Sequence, residues 1–362
     1  MKRQVFGILA TAAAAAVVVF AGAAQAQMKD KVKVGVVYVG PINDQGWSEG
    51  HYHGFEKVKA ELGDKVEITH VENIKEGPDT ERVVQQLAQG EHDIVFTTSF
   101  GFMNPTVKVA KRFPKVKFEH ATGFKRAGNL ATYSARFYEG RHVIGLIAGK
   151  MTKTNTIGYI ASFPIPEVVR GINAAFLAAK SVNPDVKFKV VWVNTWFDPG
   201  KEGDAAKVLI DQGADVLMQH TDSPAPIKLA EERGIFAFGQ AQDMDRHGPK
   251  SHLTAIVDDW APHYLRRIKS VLDGTWKSED TWGGFNTGMV VIAPFDVQIP
   301  FAVRKMAADA RSAISAGTLH PFTGPINKQD GTAWLKAGET APDGDLAGMN
   351  FYVEGVDGDL PK

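Results

Sequence analysis

From residue 32 onward the chain alternates short β-branched apolar runs with longer stretches of helical spacing, and it passes through that alternation twice. Val32 to Val39, Glu67 to Val71, Asp93 to Thr98 and Val116 to His120 read as buried strands. Between them, Phe55, Val58 and Leu62 fall on one helical face, as do Val83, Val84 and Leu87. After a helix near 139 to 151 the rhythm restarts with strands at Thr156 to Ala161, Val186 to Val193, Asp215 to His220 and Ile235 to Phe238. Helical runs at 166 to 181, 201 to 212 and 224 to 233 separate them. Leu253 to Val257 is one more strand and Ala261 to Leu272 one more helix, while the Gly-, Pro- and Asp-rich tail from about 318 reads as irregular structure wrapped on a domain. Strands buried on both faces and joined through helices make a parallel, doubly wound sheet, so two α/β halves are expected. No low-complexity linker separates them, and short crossing strands are expected instead.

The first 26 residues have the order of a secretory signal: Lys2 and Arg3, an apolar stretch from Ile8 to Phe20, then Ala24-Gln25-Ala26. Cleavage after Ala26 is expected, and the stretch is too short and Ala-rich for a stable membrane span. With 0 cysteines there is no lipidation at that site, no disulfide and no thiolate chemistry. A periplasmic, soluble, monomeric protein is the expectation. The 41 basic and 41 acidic residues cancel, which argues against a nucleic-acid partner, because phosphate neutralisation needs clustered cations.

Two turns are built alike, each following a strand and opening a helix: Gly40 to Trp47, and Asn194 to Gly200. Each sets a tryptophan beside an aspartate, Trp47 near Asp44 and Trp196 near Asp198. Indoles stack on flat rings and carboxylates accept N–H groups, so the two turns could clamp one ligand if the halves face each other. Ligands of such sheets sit beyond the carboxyl ends of the strands, where both turns lie. Asp198-Pro199 also reads as a helix start, with a capping carboxylate and proline at the first helical position. A secreted pair of α/β domains with no anchor suggests a hinged binding protein.

Other constellations carry less. His51 and His53 are two apart on a helix and cannot share one metal ion, and no cofactor is expected. Asp243 with Asp245, or Asp258 with Asp259, could form a catalytic carboxylate pair, which keeps a nucleoside hydrolase as the enzymatic alternative. Ala148 to Thr152 only superficially looks like the tail of a phosphate loop, since it ends a helix. Arg136, Arg141 and Arg170 read as exposed helix arginines rather than anion ligands. Phe100, Phe102 and Phe163 are placed at strand ends, with Phe100 a candidate wall of the cleft. Trp260, Trp276 and Trp282 read as core.

The chain resembles the basic membrane protein (Bmp) family of ABC-transporter substrate-binding proteins over nearly its whole mature length. The resemblance rests on Gly40 to Trp47, Thr98 to Phe102, Gly158 to Ala161, Asn183-Pro184, Trp196 to Asp204 and Gln212 to Asp215, and on Gly324 to Ile326, Gln329 to Gly331 and Glu354 to Val356. It implies a type I periplasmic-binding-protein fold, two doubly wound α/β domains joined by a hinge. The expected division is 27–136 plus about 258–298 for the first domain and 137–257 plus about 299–362 for the second. It also implies an ABC-transporter permease as partner and a purine nucleoside or related ligand held between aromatic rings, here Trp47 and Trp196. By position, Asn43, Asp44 and Asp243 correspond to polar ligand contacts, and the expected site is completed by Ser99, Phe100, Asp222, Gln242 and Asp258.

The sequence departs from the family in three places. Tryptophans stand where many members have phenylalanines, Asp258 stands where those members have a sugar-reaching lysine, and Thr221 to Pro224 replaces a glycine-rich loop. Rings without the lysine favour a free purine base, adenine first, whose exocyclic amine suits acceptors such as Asp44, Gln242 and Asp243. A sugar-binding or sensory receptor of the same fold is the other non-enzymatic expectation.

Overall fold

A computed structural model describes residues 28–361, so the expected signal peptide and its cleavage site lie outside the described residues. In chain order the strands are β1 Val32–Val37, β2 Val66–Val71, β3 Ile94–Thr97, β4 Lys117–Ala121, β5 Leu130–Ala135, β6 Thr156–Ala161, β7 Lys187–Trp192, β8 Val216–His220, β9 Phe236–Ala241, β10 His252–Asp258, β11 Asp280–Gly283, β12 Val290–Ile292, β13 Ile326–Asn327, β14 Ala333–Leu335 and β15 Val356–Asp357. The helices are α1 Trp47–Leu62, α2 Pro78–Gln89, α3 Met103–Arg112, α4 Phe137–Met151, α5 Pro166–Val182, α6 Pro199–Asp211, α7 Ala225–Arg233, α8 Ala261–Leu272, α9 Phe301–Ser315 and α10 Asp343–Ala347. Among the described residues no helix is long and apolar enough to cross a membrane.

The strands form two large sheets, one per domain. The first has the order β11-β5-β4-β3-β1-β2 and is parallel throughout. The second has the order β12-β10-β9-β8-β6-β7-β15 and is parallel except for β12, which runs against β10. Central strands carry side chains buried on both faces, as in β3 and β6, which is why they read as unbroken apolar runs. The chain passes between sheets after β5, after β10 and between β11 and β12. The last of these passages precedes Val290, so β12 belongs to the second sheet, earlier than the boundary expected near 298.

Several elements left little periodic trace. β5 carries Thr132, Tyr133 and Ser134 in its middle, a polar run that hides a buried strand. β11 and β12 are only 4 and 3 residues long and gain their identity from pairing alone. Helix α9 is largely exposed, burying only Ala307 and Ile314. The tail adds β15 to the edge of the second sheet beside β7, through Val356↔Phe188 and Asp357↔Lys189.

Candidate functional site

The two domains meet over a cleft of about 330 Å³ at the carboxyl ends of both sheets. The first domain lines it with Val39, Trp47, Ser99, Phe100 and Thr122, the second with Glu167, Trp196, His220, Asp222 and Gln240. Thr122 holds a left-handed backbone, φ 59°, which is rare for a β-branched residue and is a local cost accepted at the cleft wall.

Trp47 is placed by the start of α1. Asp44 accepts the backbone N–H groups of Gly46, Ser48 and Glu49 at 2.9, 2.8 and 3.0 Å, satisfying donors that a helix start leaves open. The Trp47 indole donates to the Thr98 carbonyl at 2.6 Å and packs edge-on against His51, Phe137 and Trp260, at 4.4, 5.9 and 5.5 Å between centroids. Phe137 and Trp260 stand where the chain crosses between domains, so this ring rests on the hinge itself.

Trp196 is placed by the start of α6. Asp198 accepts the Lys201 N–H at 3.1 Å, and Glu202 reaches back to the Asp198 N–H at 2.9 Å, as the Asp-Pro signal leads one to expect. The other oxygen of Glu202 accepts the Ser223 N–H at 3.0 Å and pins the loop carrying Asp222. The Trp196 ring leans on Phe163 at 5.0 Å, and its N–H donates across the cleft to Glu76 at 3.3 Å. Glu76 also accepts from the Ser99 hydroxyl and the Gly101 N–H, at 2.5 and 3.0 Å, so one carboxylate ties both walls at the mouth.

Across the domain boundary the α1 start meets Asp222. A Cβ at Gly46 would lie 2.5 Å from the Asp222 carbonyl oxygen, so only glycine permits this approach. Burial pushes the Asp222 carboxyl well above the usual range, with Asp44 and Glu202 adding to the rise, while the Trp47 backbone N–H opposes it.

The floor of the cleft is polar and buried. His220 Nε2 lies 3.5 Å from Glu167, and Arg170 lies 3.9 Å from the other oxygen of the same carboxyl. Burial lowers the His220 pKa, with Glu167 opposing, so a neutral imidazole results. Arg141, completely buried, donates to the Gln240 side-chain oxygen and lies 5.4 Å over the Tyr159 ring. Arg141 and Arg170 are therefore interior groups, contrary to their expected exposure. They sit on helices whose inner faces are packed on both sides, α4 against α5, where a pattern of charges looks the same as on a solvated face.

Of the residues singled out from sequence, Trp47, Ser99, Phe100, Trp196 and Asp222 come together around the cleft. Asn43 is exposed on the turn, away from the lining, and Asp44 is turned inward as the helix cap. Gln242 packs over α1, its side-chain oxygen accepting from His53 Nδ1 at 3.3 Å, and Asp243 is half-exposed beside His252 at 3.7 Å. Asp258 ends β10 beneath the cleft, 3% exposed, with neither carboxyl oxygen hydrogen-bonded. Phe102 is core and Trp260 is fully buried, while Trp276 and Trp282 are partly covered, Trp282 under Arg136 at 4.4 Å. Glu167, His220 and Gln240 went unnoticed as ligand groups. His220 and Gln240 lie in strands β8 and β9, and a polar residue inside an apolar run near its carboxyl end was the available signal.

Among the described residues no group of three or more His, Asp or Glu could hold a metal ion. Asp258 yields a stability prediction. Burial raises its pKa well above normal and Glu167 adds to the rise, with Arg141 opposing. The folded state then binds the extra proton, so the stability this group permits is present below its unfolded pKa of about 4 and is lost as pH rises through the folded value. Asp258→Asn is expected to raise stability, and with it the melting temperature, at pH 7, with the gain fading below about pH 4. Thermal melts across that range check it, and an Asn variant less stable than wild type at pH 7 would refute it.

Comparison with known proteins places the architecture. A family model described as ABC transporter substrate-binding protein, PnrA-like, matches residues 31–315. A purine-binding protein of Brucella abortus is 57% identical over 93% of this chain and 96% of its own length. A putative ABC transporter glucose-binding protein of Haloferax volcanii is 36% identical over 92% of this chain and 82% of its own. Among solved structures, an ABC-transporter solute-binding protein of Aeropyrum pernix superimposes with a TM-score of 0.69 at 18% identity, covering 87% of this chain and 97% of that one, which speaks to fold alone.

Proposed function

The chain belongs to the Bmp family of PnrA-like ABC-transporter substrate-binding proteins, and from that premise we propose that it captures a free purine base, adenine first, between Trp47 and Trp196 and delivers it to an importer. The observation that carries this reading is the pairing in one cleft of an indole from each domain with carboxyl, amide and imidazole groups. Flat heteroaromatic rings stack on indoles, and their N–H and ring-nitrogen edges need both acceptors and donors. The carboxyl acceptors for the N–H groups of a purine are now Glu167 and Asp222 in place of Asp44, Gln242 and Asp243. The purine-binding relative supports the ligand class.

The function is binding, with no bond made or broken. The protein works as a monomer in the periplasm, after cleavage of the leader following Ala26, and the two domains are 27–136 with the return through β11, and the remainder. Closure over the ligand creates the form that docks on the permease. Calorimetry with adenine, guanine, adenosine, inosine, uridine and glucose tests this. Adenine is expected to bind tightest, with quenching of indole fluorescence. Tight nucleoside binding with no binding of bases would sink the free-base reading. Binding of glucose alone would favour the function named for the Haloferax relative. Release of free base from inosine during incubation would instead point to a hydrolase.

A further inference from the structure

We propose that Glu167 reads the imidazole-ring N–H of a free purine base, so that the site selects bases over their N9-substituted derivatives. The inference rests on the purine reading above and concerns the same cleft. Glu167 follows Pro166 at the start of α5, and its side chain is 7% exposed. One oxygen faces His220 Nε2 at 3.5 Å, while the other is buried without a hydrogen bond, 3.9 Å from the Arg170 guanidinium, and the residue lines the cleft wall.

Its neighbours set the remaining polarity of the floor. A carboxylate oxygen accepts only, so the proton of the neutral His220 ring sits on Nε2, and the unpartnered Nδ1 is an acceptor. The Gln240 oxygen is taken by Arg141, which leaves the Gln240 amide as donor. The floor thus offers two unfilled acceptors, Glu167 and His220, and one donor. A buried acceptor left without a donor is costly, so a well-matched ligand brings two separate N–H groups and one bare nitrogen. Adenine has both, its exocyclic amine and its ring N–H. Adenosine has lost the ring N–H to the glycosidic bond, and so has inosine.

The walls add a second argument. Beyond Glu167 lies another space, lined by Ser134, Arg170 and Trp282, and Phe100, Thr122 and Glu167 border both. Of these three, Glu167 is the charged part of the partition. A sugar on N9 would have to take the place of the carboxyl that meets the ring N–H.

A thermodynamic cycle decides the matter, using calorimetry of wild type and Glu167→Gln with adenine, 9-methyladenine and adenosine. In the wild type, methylation at N9 is expected to weaken binding by at least about tenfold, the scale of a hydrogen bond to a charged group. In Glu167→Gln adenine itself weakens, and the methylation penalty falls to about threefold or less. Should that variant fail to fold, Glu167→Asp, whose carboxyl is withdrawn from the wall, is expected to behave likewise. Equal binding of adenine and 9-methyladenine, or tighter binding of adenosine, would overturn the assignment while leaving the purine reading intact. An unchanged penalty in the variant would overturn it too, because sterics alone would then exclude the methyl group. Binding of no purine at all would remove the purine reading and this assignment together.

Discussion

Gly46→Ala is expected to leave both domains folded while lowering ligand affinity by about a hundredfold, because it props the cleft open. The added Cβ would sit 2.5 Å from the carbonyl oxygen and 2.8 Å from the Cα of Asp222, both backbone atoms. A side chain in the way could rotate aside, but a backbone pinned by Glu202 through the Ser223 N–H cannot. The domains must therefore part by roughly 1 Å, a displacement large enough to cost about a hundredfold where positioning is decisive. Gly46 has φ −136°, outside the left-handed region, and thermal melts of the variant separate any loss of stability from the loss of closure. Calorimetry should show the loss, and small-angle scattering should show that saturating adenine no longer compacts the variant. Wild-type affinity in this variant would mean that closure does not use the Gly46–Asp222 contact.

Removing the two indoles should give unequal results. Stacking of a base on an aromatic ring contributes about 1–3 kcal/mol, so either alanine variant should bind adenine about ten- to a hundredfold more weakly. Trp196→Ala removes a half-buried ring at the mouth, held by Phe163 and Glu76, and the melting temperature of the unliganded protein should scarcely move. Trp47→Ala also removes a ring packed on His51, Phe137 and Trp260 and the hydrogen bond to Thr98, so it should lose stability as well, by about 2–4 kcal/mol. Phenylalanine at either position should restore much of the binding, since it keeps a stacking face. Unchanged adenine affinity in both alanine variants would exclude the clamp.

The strand and helix rhythm made the parallel architecture legible before any contact was known. Fully buried strands such as β3 and β6 must be apolar throughout, and helices covering them must carry an apolar stripe, so burial writes itself into local periodicity. The helix starts at Trp47 and Pro199 were equally local. β5, β11, β12 and α9 were not, because pairing partners or a mostly exposed surface define them.

The site divides along the same line. Trp47 and Trp196 could be singled out because each follows a strand and opens a helix, and strand ends are where such folds bind ligands. Asp44 and Asp198 looked like ligand groups for the same reason, yet each spends its carboxylate on the helix start beside it. Which carboxyls remain free is a question of hydrogen-bond accounting across loops far apart in sequence. Glu167, His220, Gln240 and Arg141 come from two strand ends and two helices and meet only when the second sheet is assembled. Their buried, partly unfilled polarity, and the glycine-wide gap through which the first domain reaches Asp222, exist only in the folded chain. By itself the sequence determined the family and the two α/β domains and brought the two indoles into view, because those follow from local pattern. Tertiary structure decided which polar groups line the cleft, because a side chain's freedom to bind depends on what distant segments have already claimed.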